Sequence, residues 1–165
     1  MNWPAGLPNV ATLLVDLLVW EEERDRTNVF DIRRLADRLM ASTRWAHAQP
    51  DLAAPSVGYL GTGTGAAAAL SAAARLGPGV AARVSVDGRT DLADPVLPEV
   101  RSPALLIVGS QDQLALELHH EAGRRLAGPS TLAPVPGARH LFDDTGTLDA
   151  VARLAADWFA RYLDP

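Results

Sequence analysis

The chain contains no cysteine, which removes disulfides, zinc–thiolate sites and a cysteine nucleophile from consideration. Its basic residues are scattered and form no run, and the net charge is −5. A nucleic-acid footprint or a patch for an anionic membrane is therefore not expected. Glycine and proline interrupt the longest uncharged stretch, so no transmembrane helix is predicted. No basic segment leads into an apolar run at the start of the sequence, so no signal peptide is predicted and the simplest expectation is a cytoplasmic protein. What is present suffices for one core: 165 residues, 48% of them apolar, read as a single domain over 1–165. The richness in Ala, Arg, Gly and Pro fits a high-GC bacterial genome.

Short apolar runs alternate with helical patterns along the chain. Val10–Leu18 (VATLLVDLL) reads as a strand buried on both faces, and Trp20–Arg26 as an acidic loop. Asn28 or Asp31 caps a helix to about Ala48, with Ile32, Leu35, Leu39 and Trp45 on one face. Ser56–Leu60 is a second strand, and Gly61–Gly65 turns it into an alanine-rich helix over Ala66–Leu76. Val80–Val86 is a third strand, Asp87–Arg101 a loop, Ala104–Val108 a fourth strand, Leu114–Ala127 a helix and Thr131–Val135 a fifth strand. Thr147–Leu163 closes the chain as an amphipathic helix. This order predicts an α/β domain with a mostly parallel sheet of about five strands and helices on both faces. Ligands of such sheets bind beyond the C-terminal ends of the strands, so the loops there carry the chemistry.

Three of those loops stand out. Gly61-Thr62-Gly63-Thr64-Gly65 follows the second strand, Gly109-Ser110-Gln111-Asp112 the fourth, and Gly137-Ala138-Arg139-His140 the fifth. Nucleophile turn, acid and histidine follow one another in this order in α/β-hydrolase triads. Small residues flank the nucleophile so that strand and helix approach closely. Here they are Gly61 and Gly65, and the residue between them is Gly63 instead of serine.

The segments TLLVDLL, NVFDIRRLADRL, VGYLGTGTGAAAAL, DGRTDLA, LLIVGSQD and VPGARHLFDD together resemble the dienelactone-hydrolase-related branch of the α/β-hydrolase superfamily over nearly the whole chain. The resemblance implies Asp112 as triad acid, His140 as base and Gly63 at the nucleophile position. It also implies the backbone N–H of Thr64 as an oxyanion donor. Family members usually carry serine or cysteine where Gly63 stands. They begin with further strands, one followed by an HG-type loop that supplies the other half of the oxyanion hole. This sequence starts near the end of the helix after that strand, so an N-terminally shortened member without a nucleophile is expected.

Other readings compete. His119 and His120, beside Glu117 and Glu121, point about 100° apart on a helix and read as a solvated face, so no metal is expected there. Arg89 binds an anionic group of a substrate or makes a structural ion pair. Trp20 and Thr62 are placed at the substrate edge. Gly61–Ala66 also fits the G-x-G-x-x-A fingerprint of dinucleotide binders, with Asp87 at the end of the next strand, but that reading leaves Asp112 and His140 unexplained.

An Asp–His pair without a serine still acts as a general base on an incoming hydroxyl, amine or water. The reading is therefore direct acyl transfer from an ester or thioester, small or carrier-borne, with no cofactor. Its alternative is a catalytically inactive binding or assembly module; an ester or lactone hydrolase and a dinucleotide binder rank below both. The exposed apolar strand at the start of the chain predicts a homodimer, with Trp3, Trp20 or both near the interface.

Overall fold

In the computed structural model, the described residues are 10–52, 56–139, 142 and 146–163. Two short helical turns, α1 (Trp20–Glu23) and α2 (Arg26–Val29), precede the long helix α3 (Ile32–His47). The predicted acidic loop is thus helical in part. Glu22 helps to close that first turn by accepting the Val19 N–H at 3.1 Å, and Asp25 and Asp31 cap the two helices that follow, accepting the N–H of Thr27 and of Arg34 respectively. Then come β1 (Gly58–Thr62), α4 (Gly63–Leu76), β2 (Ala82–Gly88), a 3₁₀ segment (Thr90–Glu99), β3 (Ala104–Gly109), α5 (Gln113–Arg125), β4 (Ser130–Val135) and α6 (Thr147–Tyr162).

The described strands form one four-stranded sheet in the order β1-β2-β3-β4, every pair parallel. The predicted first strand is the exception. Residues 10–16 have no regular secondary structure, with Leu13 50% and Leu14 92% exposed. A strand exists only where a neighbour completes its ladder, and among the described residues no ladder pairs with this segment.

The central strands β2 and β3 are buried almost throughout, as their unbroken apolar character requires in a sheet covered on both faces. Alternate residues serve opposite layers. Ala82, Val84, Val86, Leu105 and Ile107 pack with Val151, Ala155, Trp158 and Phe159 of α6. On the other face, Ala67 and Leu70 of α4 and Ala122 of α5 pack with Ala104 and with Leu97 from the 3₁₀ segment. Helix α3 joins that layer through Ala36, against Tyr59, Ala69 and Ala73. Alanines at 66–69, 72 and 73 are all buried, so α4 lies close to the sheet without side chains to hold it off. Among the described residues no helix is long and apolar enough to cross a membrane.

One buried hydrogen bond ties α3 to the edge of the sheet: Thr43 Oγ1 and Tyr59 Oη lie 2.6 Å apart. Thr43→Val strands the Tyr59 hydroxyl in the core and should cost about 1–3 kcal/mol. Adding Tyr59→Phe removes the stranded group, so the double variant should lose less than the sum of the single losses. Urea denaturation of the four proteins measures the coupling.

Candidate active site

The site begins at the turn from β1 into α4. Gly63 has φ +50, in the left-handed region that side chains other than glycine's adopt at a cost. A Cβ built on Gly63 meets nothing within 4 Å, so the space above the turn is open. Gly61 is the opposite case. A Cβ there would lie 2.5 Å from the Gly65 carbonyl oxygen and 2.6 Å from the Ala66 nitrogen, both backbone atoms. Bare backbone at Gly61 therefore lets α4 fold back onto β1. Gly65 needs no such allowance for a Cβ of its own, which would meet nothing within 4 Å. Thr62 is the N-cap of α4, yet its side chain makes no capping bond. The Thr64 amide in the first turn lacks an intrahelical acceptor for the usual geometric reason.

The turn is held from the side by β2. Gly63 bridges Gly88 in parallel fashion, and the Arg89 N–H donates to the Gly63 carbonyl at 2.9 Å. Gly88 is itself hemmed in, since a Cβ there would run into Ala66 Cβ and Ser85 Oγ. Its N–H donates to Nε2 of His119 at 3.2 Å. The other ring nitrogen of His119, Nδ1, faces the Ala115 carbonyl at 2.7 Å, so the neutral tautomer with the proton on Nδ1 satisfies both contacts. His119 is 1% exposed. This overturns the expected solvated pair: His120 is exposed, but His119 is a core residue. The overlooked signal is its spacing. His119, Ala122 and Leu126 recur at three- and four-residue steps, the period of a buried helix face, and both apolar members are buried.

Seven residues before His119, Asp112 caps α5 by accepting the Ala115 N–H at 2.9 Å. Its loop is stitched to the loop that leads toward His140. Ser110 N–H donates to the Val135 carbonyl, Gln111 N–H to the Ala138 carbonyl, and Gly137 N–H to Ser110 Oγ, each at 3.0–3.1 Å. A Cβ at Gly109 would lie 2.7 Å from the carbonyl oxygens of Ala138 and Arg139, so the close approach requires glycine. His140 and Trp3 lie outside the described residues. The structure thus brings the Asp112 loop against the residues just before position 140, and links Gly63 to α5 through Gly88 and His119.

Of the remaining expected residues, Thr62 ends β1 and Arg89 directly follows β2, while Trp20 opens α1. The Arg89 guanidinium is committed to Asp91, with Nε–Oδ1 2.9 Å and Nη2–Oδ2 2.7 Å. It also stands 5.9 Å from the centre of the Phe30 ring. Of the two readings of Arg89, the ion pair is the one visible. Thr62 is exposed at the end of β1, and Trp20 is 73% exposed at the start of α1. Among the described residues no group of three His, Asp or Glu side chains is arranged to hold a metal.

Two outcomes follow. Gly61→Ala forces backbone apart and should cost at least about 2 kcal/mol, whereas Gly63→Ala meets only the left-handed penalty of roughly 1–2 kcal/mol. Chemical denaturation of the two variants reads the difference, and equal losses would contradict the close contact at Gly61. Burial holds the His119 imidazole below its ordinary value of 6.5, against the opposing influence of the Ala115 carbonyl and the carboxylates of Asp87, Asp112 and Asp91. The unfolded chain then takes up the proton first as pH falls. The stability that this residue gives is complete above about pH 6.5 and declines below it. Urea midpoints taken from about pH 7 to about pH 5 should fall more steeply in the native protein than in His119→Gln.

No family model matches the chain. A protein of Mycobacterium tuberculosis, provisionally named a phosphoribosyl transferase and present in two strains, is 54% identical over 153 residues. The match takes in 93% of this chain and 34% of that protein, so the chain spans about a third of the length of the curated relatives it matches. Among solved structures, a dienelactone hydrolase-like promiscuous phosphotriesterase from metagenomic libraries shares the fold, with a TM-score of 0.60 at 20% identity over 88% of this chain and 66% of that one. The dienelactone hydrolase of Anabaena variabilis superposes with a TM-score of 0.84 at 44% identity, over 90% of this chain and 71% of that one. On that identity, coverage and shared fold, the chain belongs to the dienelactone-hydrolase family of α/β hydrolases.

Proposed function

We propose that this chain carries out direct acyl transfer on the hydrolase scaffold, with Gly63 in the place of the family's nucleophile and Asp112 and His140 as a general-base pair. The observation that supports this most is the Gly63 turn. It keeps the left-handed backbone of a nucleophile turn, but a side chain is missing where open space would receive one. That space accommodates a second substrate beside the base.

In this reading Asp112 orients the His140 imidazole and stabilises its charged form. His140 takes the proton of an acceptor hydroxyl or amine as the acceptor oxygen or nitrogen bonds to the acyl carbon. The bond from that carbon to the donor sulfur or oxygen then breaks, and the proton passes from His140 to the leaving group. The Thr64 N–H faces the developing oxyanion. Arg89, fixed by Asp91 and flanked by Phe30, frames the substrate edge, together with Thr62 and Trp20. No residue of the protein becomes acylated.

A second reading follows from the length of the Mycobacterium tuberculosis relative. Within a protein three times as long, the part that resembles this chain would be a hydrolase-fold module, and the transferase chemistry in that protein's name would belong to the remainder. This chain would then bind or assemble without turning over an acyl group.

The readings separate in one assay series. Acyl transfer predicts thioester cleavage that depends on an added amine or alcohol acceptor, with no acyl adduct on the protein by mass spectrometry. His140→Ala should lower that rate by roughly 10²–10⁴-fold while circular dichroism stays unchanged. Cleavage indifferent to both the acceptor and His140→Ala would contradict the proposal, and absence of any cleavage would favour the module.

A further inference from the structure

Two unsatisfied features occur on the same chain, away from the Gly63 turn. The first is a bare sheet edge. β1 is bonded to β2 on one side and, among the described residues, to no strand on the other. The Val57 carbonyl accepts the Ala81 N–H of the β2 side. Backbone groups alternate along a strand, so the amides and carbonyls of Gly58 and Leu60 point to the open edge. Natural edges are usually protected by charge or proline, but Gly58-Tyr59-Leu60-Gly61-Thr62 has neither. The face beside this edge is also incompletely covered. At Gly58 the ring of Phe159 from α6 presses on the strand, with a built Cβ 2.6 Å away, yet Leu60, two residues on, remains 37% exposed.

The second feature is a strand-forming segment without a sheet. Val10–Leu18 is apolar apart from Thr12 and Asp16. No backbone group of residues 10–16 is hydrogen-bonded among the described residues. Its far end is moored to α3, where Arg38 donates to the Leu17 carbonyl at 2.9 Å. An open hollow of about 410 Å³ is lined by Val15–Val19 together with Arg38, Ala41 and Ser42 of α3. The segment is anchored at one end, without regular secondary structure at the other, and, among the described residues, unpaired with β1 of its own chain.

We propose that two copies of the chain exchange these features: Val10–Leu18 of one copy adds as a strand to the β1 edge of the other, and the reverse. The segment supplies what the edge lacks, an outer ladder of donors and acceptors with leucines to cover Leu60. The edge supplies what the segment lacks. Nine residues at about 3.3 Å each reach about 30 Å, more than enough for the roughly 17 Å of β1. Each copy holds one segment and one edge, so reciprocal pairing closes as a two-fold dimer with no third component. The inference is independent of the acyl-transfer reading.

The test uses the full 165-residue chain. Size-exclusion chromatography with light scattering at micromolar concentration should show a dimer. Leu14→Lys spoils the segment and Leu60→Lys the edge, and each should raise the dissociation constant at least roughly ten-fold. Mixing the two variants should restore association, because one intact segment then meets one intact edge. In the native protein, hydrogen exchange should show protected Gly58 and Leu60 amides whose protection is lost on dilution. A native monomer would overturn the proposal. So would a dimer indifferent to both substitutions, or protection of those amides at every dilution, which would mean that the chain covers its own edge.

Discussion

The parallel contact between Gly63 and Gly88 is the constraint on which the candidate site depends. It fixes the turn at the end of β1 against the end of β2, and both positions tolerate only glycine comfortably, for different reasons. Gly63 needs the left-handed backbone, and Gly88 has no room for a side chain between Ala66 and Ser85. From Gly88 the constraint passes to α5 through the buried His119, whose neutral ring accepts one N–H and faces one carbonyl. Asp112 caps helix α5, so the turn and the Asp112 loop are held in one frame by directional contacts. The loop leading to position 140 is bound into the same frame by the hydrogen bonds around Ser110 and Gln111.

In the proposed reading, this arrangement lets the site keep its geometry with no nucleophile at Gly63. A serine at a strained turn is held by the strand and helix around it, not by its own hydroxyl. Glycine at position 63 takes the left-handed backbone without the strain that a side chain would carry there. The pressure to preserve the surrounding contacts is then a matter of packing: Gly61 against the first turn of α4, Gly109 against the 138–139 backbone. The proposed acyl transfer uses the space so created. The proposed strand exchange uses a different surface, on the far side of β1 from β2.

Much of the architecture was legible because it rests on local signals. Alternation of apolar runs with helical periods gave β1 to β4 and the four long helices to within a few residues, and Asp31 acted as the cap that its position suggested. The glycine spacing at 61, 63 and 65 located the turn. Failures came where the deciding partner was remote in sequence. Val10–Leu18 has a strand's composition, but a ladder needs a neighbour, and composition does not say whether one exists. His119 beside His120 and two glutamates looks polar as a string. Its burial follows from Ala122 and Leu126 on the same face and from an acceptor demand at Gly88, on another strand. Arg89 was readable as a cation at the right edge, but its pairing with Asp91 depended on the turn between them.

The claim most central to this account is that Asp112 and His140 form one hydrogen-bonded pair. Proton NMR of the chain labelled with ¹⁵N in its histidines tests it directly. The account predicts a far-downfield imidazole N–H assigned to His140 that disappears or moves sharply upfield in Asp112→Asn, with the His119 signal left in place. A His140 ring proton that exchanges freely with water in the native protein, or one unmoved by Asp112→Asn, would contradict it.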